Sequence, residues 1–215
     1  YDEPGNCMHF HIQLRKDGRN VFYQKGAYAD LSEQALCFIG GILKHGRSLA
    51  AFTNPSTNSY KRLLPGFEAP VKLFFGLANR SAAIRIPKYA TTENAKRIEF
   101  RTGDGTCNYY LAMSALLMAG MDGINRRILP SDENCFGPYD DNIFDWPEER
   151  QSSLASIPTS LEEALEALKD DHDYLVAGGV FSRELIDSWI EEKMKEVIAV
   201  RNRPHPFEMN RYYSL

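Results

Sequence analysis

The chain has 215 residues, 43% hydrophobic and 25% charged, which suits one large globular domain or two small ones with a sizeable core. A net charge of −4 without a long basic run argues against a nucleic-acid partner, and no apolar run approaches membrane-spanning length. Cys7, Cys37, Cys107 and Cys135 form no C-x-x-C pair, which removes zinc and thioredoxin-type readings; a chain of this size with no secretion signal is expected to be cytosolic, with reduced thiols. The chain opens YDEPGN, without an initiator Met or a signal peptide, as a processed chain or part of a longer polypeptide would.

The first regular segment is Met8 to Leu14, whose alternation predicts a strand. Met8, Phe10, Ile12 and Leu14 share one face, and His9, His11 and Gln13 the other. Two histidines on one strand face suit a metal or phosphate site, since neutral imidazole ligates metals well, and equally suit a wet outer face. Lys16 to Asn20 reads as a turn, with Val21 to Tyr23 as a hairpin partner. Leu31 to Gly46 reads as a helix capped by Ser32 or Asp30, with Gly40-Gly41 admitting a close neighbour.

Asn54 to Pro87 is the stretch around which the chain is organised. Its first half, around Pro65-Gly66, is a shaped loop with Lys61, Arg62 and Glu68; Ala82 to Pro87 is a strand, with Arg80 before it and Arg85 within it. Arg97 to Arg101 alternates again, with Ile98 and Phe100 facing the core and Arg97, Glu99 and Arg101 on the other face. Repeated arginines fit a polyanion or several carboxylates, because the guanidinium fork binds both bidentately. They also fit a solvated ion-pair face, and spacing alone does not choose.

Asn108 to Arg127 reads as a long helix burying Leu111, Ala115, Leu117, Met118 and Met121, and Pro130 to Thr159 as a surface excursion. Ser160 to Glu163 is a capping box that opens a helix to about Leu168, and Gly178-Gly179 breaks the short helix after it. Ser182 caps a final helix through Val200, with Leu185, Ile186, Trp189, Ile190 and Met194 inward, and the aromatic tail from Arg203 is expected to be extended.

Several of these stretches carry specific motifs: Gly5 with Met8-His9-Phe10-His11, then NPSTNSYKRLLPGFEAP, NRSAAIRIP, RIEFR, LMAGMDGI, SLEEAL, GGVF and RPHPFE. In order, and over essentially all 215 residues, they resemble the C-terminal catalytic domain of bacterial type I glutamine synthetase. The resemblance implies an α+β fold, an antiparallel sheet carrying the active site and backed by helices. It implies a single domain over 1–215, with the small N-terminal β-domain and the upstream catalytic strands absent. The implied reaction uses ATP to phosphorylate the side-chain carboxylate of glutamate, after which ammonia displaces phosphate.

The residue roles that follow are those of the resemblance. His9 and Glu99 ligate a divalent metal, Mg2+ or Mn2+; His11, Ile12 and Gln13 line the nucleotide. Arg80 and Arg85 meet the phosphates, Arg80 also near the transferring group. Arg62, Arg101, Gly5 and Glu68 hold glutamate, and Glu68 also closes over the site and helps bind ammonium. A cytoplasmic homo-oligomer, a dodecamer in this class, is implied, with no nucleic acid or membrane partner.

Departures from the family pattern are Pro4 for Asn, Cys7 for Gly, Gln13 for Ser and Asn94 for Lys. Phe144 stands where many relatives have a Tyr that is adenylylated, so no adenylylation is expected there. The upstream metal-binding glutamates are missing, so these residues alone are expected to lack synthetase activity. Two other readings remain open: a ligase joining glutamate to a polyamine or another amine, and a truncated non-catalytic relative.

Overall fold

A computed structural model describes residues 5–64, 69–130 and 135–213. Glu68 and Pro4 lie outside the described residues. A four-stranded sheet runs in the order β1 (Phe10–Ile12), β6 (Ile98–Phe100), β5 (Ala82–Ile86), β4 (Lys72–Leu77). The pairings β1–β6 and β6–β5 are antiparallel, as expected. β4 joins β5 in parallel, so the sheet is mixed, and β4 itself was not read from the sequence. Its residues, KLFFGL, are buried on both faces, so it lacks the alternation that marks a half-buried strand.

The small hairpin differs from its predicted form. β2 (Arg15–Lys16) pairs with β3 (Arg19–Asn20) across Asp17-Gly18, and Val21 to Tyr23 lies beyond it. Both turn residues have positive φ, which suits the two-residue hairpin loop.

Helix α1 (Glu33–Lys44) is capped by Ser32, whose hydroxyl accepts from the Ala35 amide. A second helix, α2 (Gly46–Thr53), follows after His45 alone and was not predicted. A short turn of helix, α3 (Ser59–Arg62), precedes β4. α4 (Tyr109–Arg126) forms as expected, but its buried stripe is Ala112, Ala115, Leu116, Ala119, Gly120 and Gly123. Leu117, predicted inward, is 44% exposed. The reason is close approach: small residues bring α4 against α1, and large ones would hold the two apart.

A Cβ on Gly41 would lie 2.1 Å from the Ala119 carbonyl oxygen, and one on Gly123 would lie 2.1 Å from that of Cys37. These obstacles are backbone atoms and cannot rotate away. Gly41→Ala is therefore expected to cost at least about 1–3 kcal/mol, read as a lower urea midpoint. An unchanged midpoint would contradict the close crossing.

The excursion from Pro130 carries α5 (Glu148–Ser153) and returns to the body through Phe136, Ile143, Leu154 and Ile157, all buried. α6 (Leu161–Asp170) is capped by Ser160, but the reciprocal half of the predicted box differs. Glu163 accepts from the Thr159 amide and hydroxyl rather than from Ser160. α7 (Asp173–Val176) is the short helix ended near Gly178.

α8 (Arg183–Arg201) starts at the predicted Ser182 cap, and Ile186, Trp189, Ile190 and Met194 pack inward, while Leu185 is exposed. The tail is helical, not extended. His205 caps α9 (Pro206–Tyr212), and Glu208 reaches back to the His205 amide, a capping pattern that uses a histidine as cap. Among the described residues no helix is long and apolar enough to cross a membrane.

A buried polar clamp joins α1, α2, α4 and α7. His45 is 4% exposed between α1 and α2; its Nδ1 lies 2.8 Å from Asp171 and its Nε2 3.0 Å from Asp122 on α4. Tyr174 of α7 stacks on the imidazole at 4.0 Å, and Ser48 Oγ donates to Asp171.

Candidate active site

The sheet registers explain which side chains meet. His11 pairs with Glu99, and Glu99 with Arg85, so one row crosses three strands on one face. Phe10, Phe100 and Ile84 form the adjoining row, and alternation turns these toward the core. His9 and Arg101, each two residues from that first row, fall on the same face as His11 and Glu99.

Glu99 is the centre. It is 1% exposed, so the reading of a solvated charged face does not apply to it. Its Oε1 accepts from His9 Nδ1 at 2.8 Å and Arg101 Nη1 at 3.2 Å, and its Oε2 from Arg85 Nε at 2.6 Å. An acid this deep is stable only with such company. Burial, then the Arg101 guanidinium, hold His9 below the ordinary imidazole value, against the pull of Glu99. The neutral ring thus donates Nδ1–H to Glu99 and turns the Nε2 lone pair outward, where the Cys7 thiol lies 3.2 Å away. A carboxylate that fixes the tautomer in this way is the usual support for a ligating histidine.

The arginines divide by environment. Arg101 is 7% exposed, and burial lowers its pKa against the opposing effect of Glu99. Its Nε is buried without a hydrogen-bond partner among the described residues, and so is that of Arg62. Buried guanidinium N–H groups without acceptors are costly, and an anionic ligand would supply the acceptors. Gly5, with φ +70°, passes close to Arg62: a Cβ there would lie 3.4 Å from Arg62 Cδ. Positive φ favours glycine at that position.

Arg80 is exposed and shares a pocket of about 390 Å3 with Asn79, Ser81, Arg101, Asp140, Asn142 and Phe144. Of these, Asn79, Ser81, Asp140 and Asn142 were not singled out as site residues. Asn79 and Ser81 flank Arg80 in sequence, a cue that was available; Asp140 and Asn142 are more than fifty residues away.

The other predicted residues take their places around the cluster. His11 Nδ1 accepts from Arg97 Nε at 3.3 Å, and Arg97 also lies over the Tyr89 ring. Ile12 directs its side chain to the core, so only its backbone stays with the strand edge. The Gln13 amide faces Asn20 and the carbonyls of Asn94 and Lys96. Lys96 is buried and braces the fold through the Ala29 carbonyl.

His9 Nε2 and the Glu99 carboxylate are two groups that could hold a metal, and among the described residues no group of three or more gathers. Two donors fit a hard divalent ion that keeps waters and shares phosphate oxygens, and they do not make a self-sufficient cage.

A family model described as glutamine synthetase, catalytic domain, matches residues 1–212. The glutamine synthetase of Neisseria gonorrhoeae is 53% identical over 213 residues, spanning 99% of this chain and 44% of that protein. That of Pseudomonas aeruginosa is 52% identical over the full chain, again 44% of that protein. The chain thus spans less than half the length of these relatives. A cryo-EM structure of Plasmodium falciparum glutamine synthetase superimposes with a TM-score of 0.82 at 30% identity, covering 97% of this chain and 47% of that one. A structure named apo GmaS without ligand gives 0.81 at 30% identity, covering 98% of this chain and 45% of that one. By its sequence over almost its whole length and by its fold, the chain belongs to the glutamine synthetase catalytic-domain family.

Proposed function

We propose that the chain carries, as the C-terminal catalytic domain, the phosphoryl-transfer and glutamate-binding part of an ATP-dependent glutamate–ammonia ligase. The observation that carries this is the charge layout of one sheet face. Buried Glu99 and partly buried His9 stand beside Arg85 and Arg101, and the Nε of Arg101, like that of Arg62 on α3, is buried without a hydrogen-bond partner among the described residues. Anionic substrates would complete that layout.

In this reading Arg80 and Arg85 bind the phosphates, and Arg62, Arg101 and Gly5 hold glutamate. Fixed guanidinium donors stabilise charge as it spreads over the transferring phosphoryl group. His11 and Gln13, with the Ile12 backbone, border the nucleotide. Glu68 takes the role of the acid that screens the activated carboxylate and attracts ammonium. His9 and Glu99 hold Mg2+ or Mn2+, which when bound would neutralise the phosphate charge. In this reading the glutamate side-chain carboxylate takes the γ-phosphoryl group of ATP as ADP leaves; ammonium gives a proton to Glu68, and the ammonia attacks the acyl carbonyl as phosphate leaves.

A homo-oligomer, dodecameric by family resemblance, belongs to the same reading. The exposure of Phe207, Met209, Tyr212 and Tyr213 on and beside α9 supports a contact between copies. A second reading, transfer to an alkylamine, is favoured by one observation: the pocket beside Arg80 and Arg101 has room for more than ammonia.

ATP titration of the chain by calorimetry, with and without Mg2+, tests the proposal. Mg2+ is expected to tighten ATP binding, and His9→Asn to remove about tenfold of that gain, the scale of one lost ligand. Binding indifferent to both would overturn it. With only two donors in place, the 215 residues alone are expected to form no glutamine, and measurable product would refute that. In the active assembly, comparing ammonia with ethylamine and putrescine separates the two acceptor readings.

A further inference from the structure

Arg85 and Arg101 are aimed by the Glu99 carboxylate. Arg80 has no such brace: among the described residues its exposed side chain takes part in no hydrogen bond or ion pair. What aims it is the backbone on which it stands, between β4 and β5. That backbone is held by its neighbour Asn79, which is 7% exposed.

Asn79 uses its whole hydrogen-bonding capacity. Its Oδ1 accepts from the Ser81 amide at 2.9 Å and the Ser81 hydroxyl at 2.6 Å, which closes a turn around Arg80. Its Nδ2 donates to the Tyr139 carbonyl at 3.0 Å and to that of Asp141 at 2.8 Å, which ties the turn to a loop about sixty residues on. Two lone pairs and two N–H donors are all that a carboxamide has. A carboxylate could make only the first pair of bonds. The loop is itself fastened to β4: a Cβ on Gly76 would lie 2.0 Å from the Tyr139 carbonyl oxygen, and the Leu77 amide donates to Asp140 Oδ1 at 2.7 Å. Ala78, just before Asn79, has φ +58°, a left-handed conformation that a non-glycine residue keeps only where its surroundings over-determine it. Asp140, Asn142 and Phe144, on and just after the loop, line the cavity with Arg80.

We propose that Asn79 is the positioning residue of Arg80, holding the guanidinium at the cavity through the turn and the 139–141 loop. This deepens the ligase reading and rests on it, since it takes Arg80 as a phosphate-binding group. An arginine aimed by a carboxylate is partly neutralised by it. One aimed through its backbone by a neutral carboxamide is fixed in advance and keeps its full charge for an anion.

The test is an NMR titration of the whole chain with inorganic phosphate, read at the Ser81 and Asn142 amides, with chloride at matched ionic strength as control. Asn79→Ser is neutral and leaves a hydroxyl for the Ser81 turn, but is too short to hold both loop carbonyls. It is expected to weaken phosphate binding about tenfold, the scale of one charge-assisted contact. With Arg80→Gln already in place, the same change is expected to leave the remaining binding unaltered, because Asn79 then has nothing to aim. Equal loss in both backgrounds would mark Asn79 as merely structural, and no loss in either would show that the turn aims itself; each overturns the proposal. Should Asn79→Ser not fold, or Arg80→Gln bind no phosphate, the unaltered chain decides. Phosphate is expected to shift the Asn79 side-chain amide signals with the same midpoint as the Ser81 amide, and an unmoved carboxamide would overturn the proposal. Phosphate binding that depends on Asn79, with ATP binding indifferent to Mg2+ and to His9, sinks the ligase reading alone. The reverse pattern sinks this one alone.

Discussion

Glu99→Ala is expected to destabilise the fold by about 3–5 kcal/mol, the cost of removing one partner from a buried ionic cluster. Glu99 neutralises Arg85 and Arg101 and accepts from His9, all within 3.2 Å. Arg101 is itself buried and already carries one N–H without a partner. Without the carboxylate its guanidinium would be left charged and uncompensated beside a second arginine. Glu99→Gln keeps the shape and an acceptor oxygen, so a smaller loss is expected. Urea unfolding of the three proteins measures this. A loss under about 1 kcal/mol for the Ala variant, the scale of an exposed pair, would show that Glu99 is solvated and would dismantle the site described above.

His45→Ala is expected to cost about 3 kcal/mol, the low end for breaking a buried pair, because the Asp171 side chain is 42% exposed and can rehydrate. The variant leaves Asp122 and Asp171 facing a cavity and removes the stacking partner of Tyr174. It also changes the acid limb of stability. Burial pushes the Asp171 pKa up, but hydrogen bonds from His45 and Ser48, with Lys44 nearby, outweigh it and hold the carboxyl below its ordinary 3.8. A depressed carboxyl stabilises the fold above its unfolded pKa and loses that contribution as pH falls through the folded value. Stability should thus fall more steeply below pH 3.8 in the unaltered chain than in His45→Ala. Parallel acid limbs in urea midpoints would contradict the clamp.

Much of the site was legible because strand alternation is a local rule. His9 with His11, and Glu99 with Arg101, could be placed on common faces from spacing two apart. Local rules also located the Ser32, Ser160 and Ser182 caps, where a hydroxyl meets an amide three residues on. The same rules failed where burial hides the period. β4 is apolar on both faces, and α4 packs through small residues, so the large side chain at Leu117 faces out. The tail, expected to be extended, is helical, and its cap is a histidine, outside the usual set.

The sequence by itself determined the family, the sheet-and-helix composition and the residue types of the site, since these depend on order and local pattern. Only the tertiary structure decided that Arg85 and Arg101 meet on one Glu99 carboxylate, that Arg62 reaches Gly5, and that Asp140 joins Arg80 in one cavity. Those meetings depend on strand register and on a loop pinned some sixty residues from its anchor, Asn79. Register and long loop closures are fixed by packing over the whole core, and no short window of sequence contains that information.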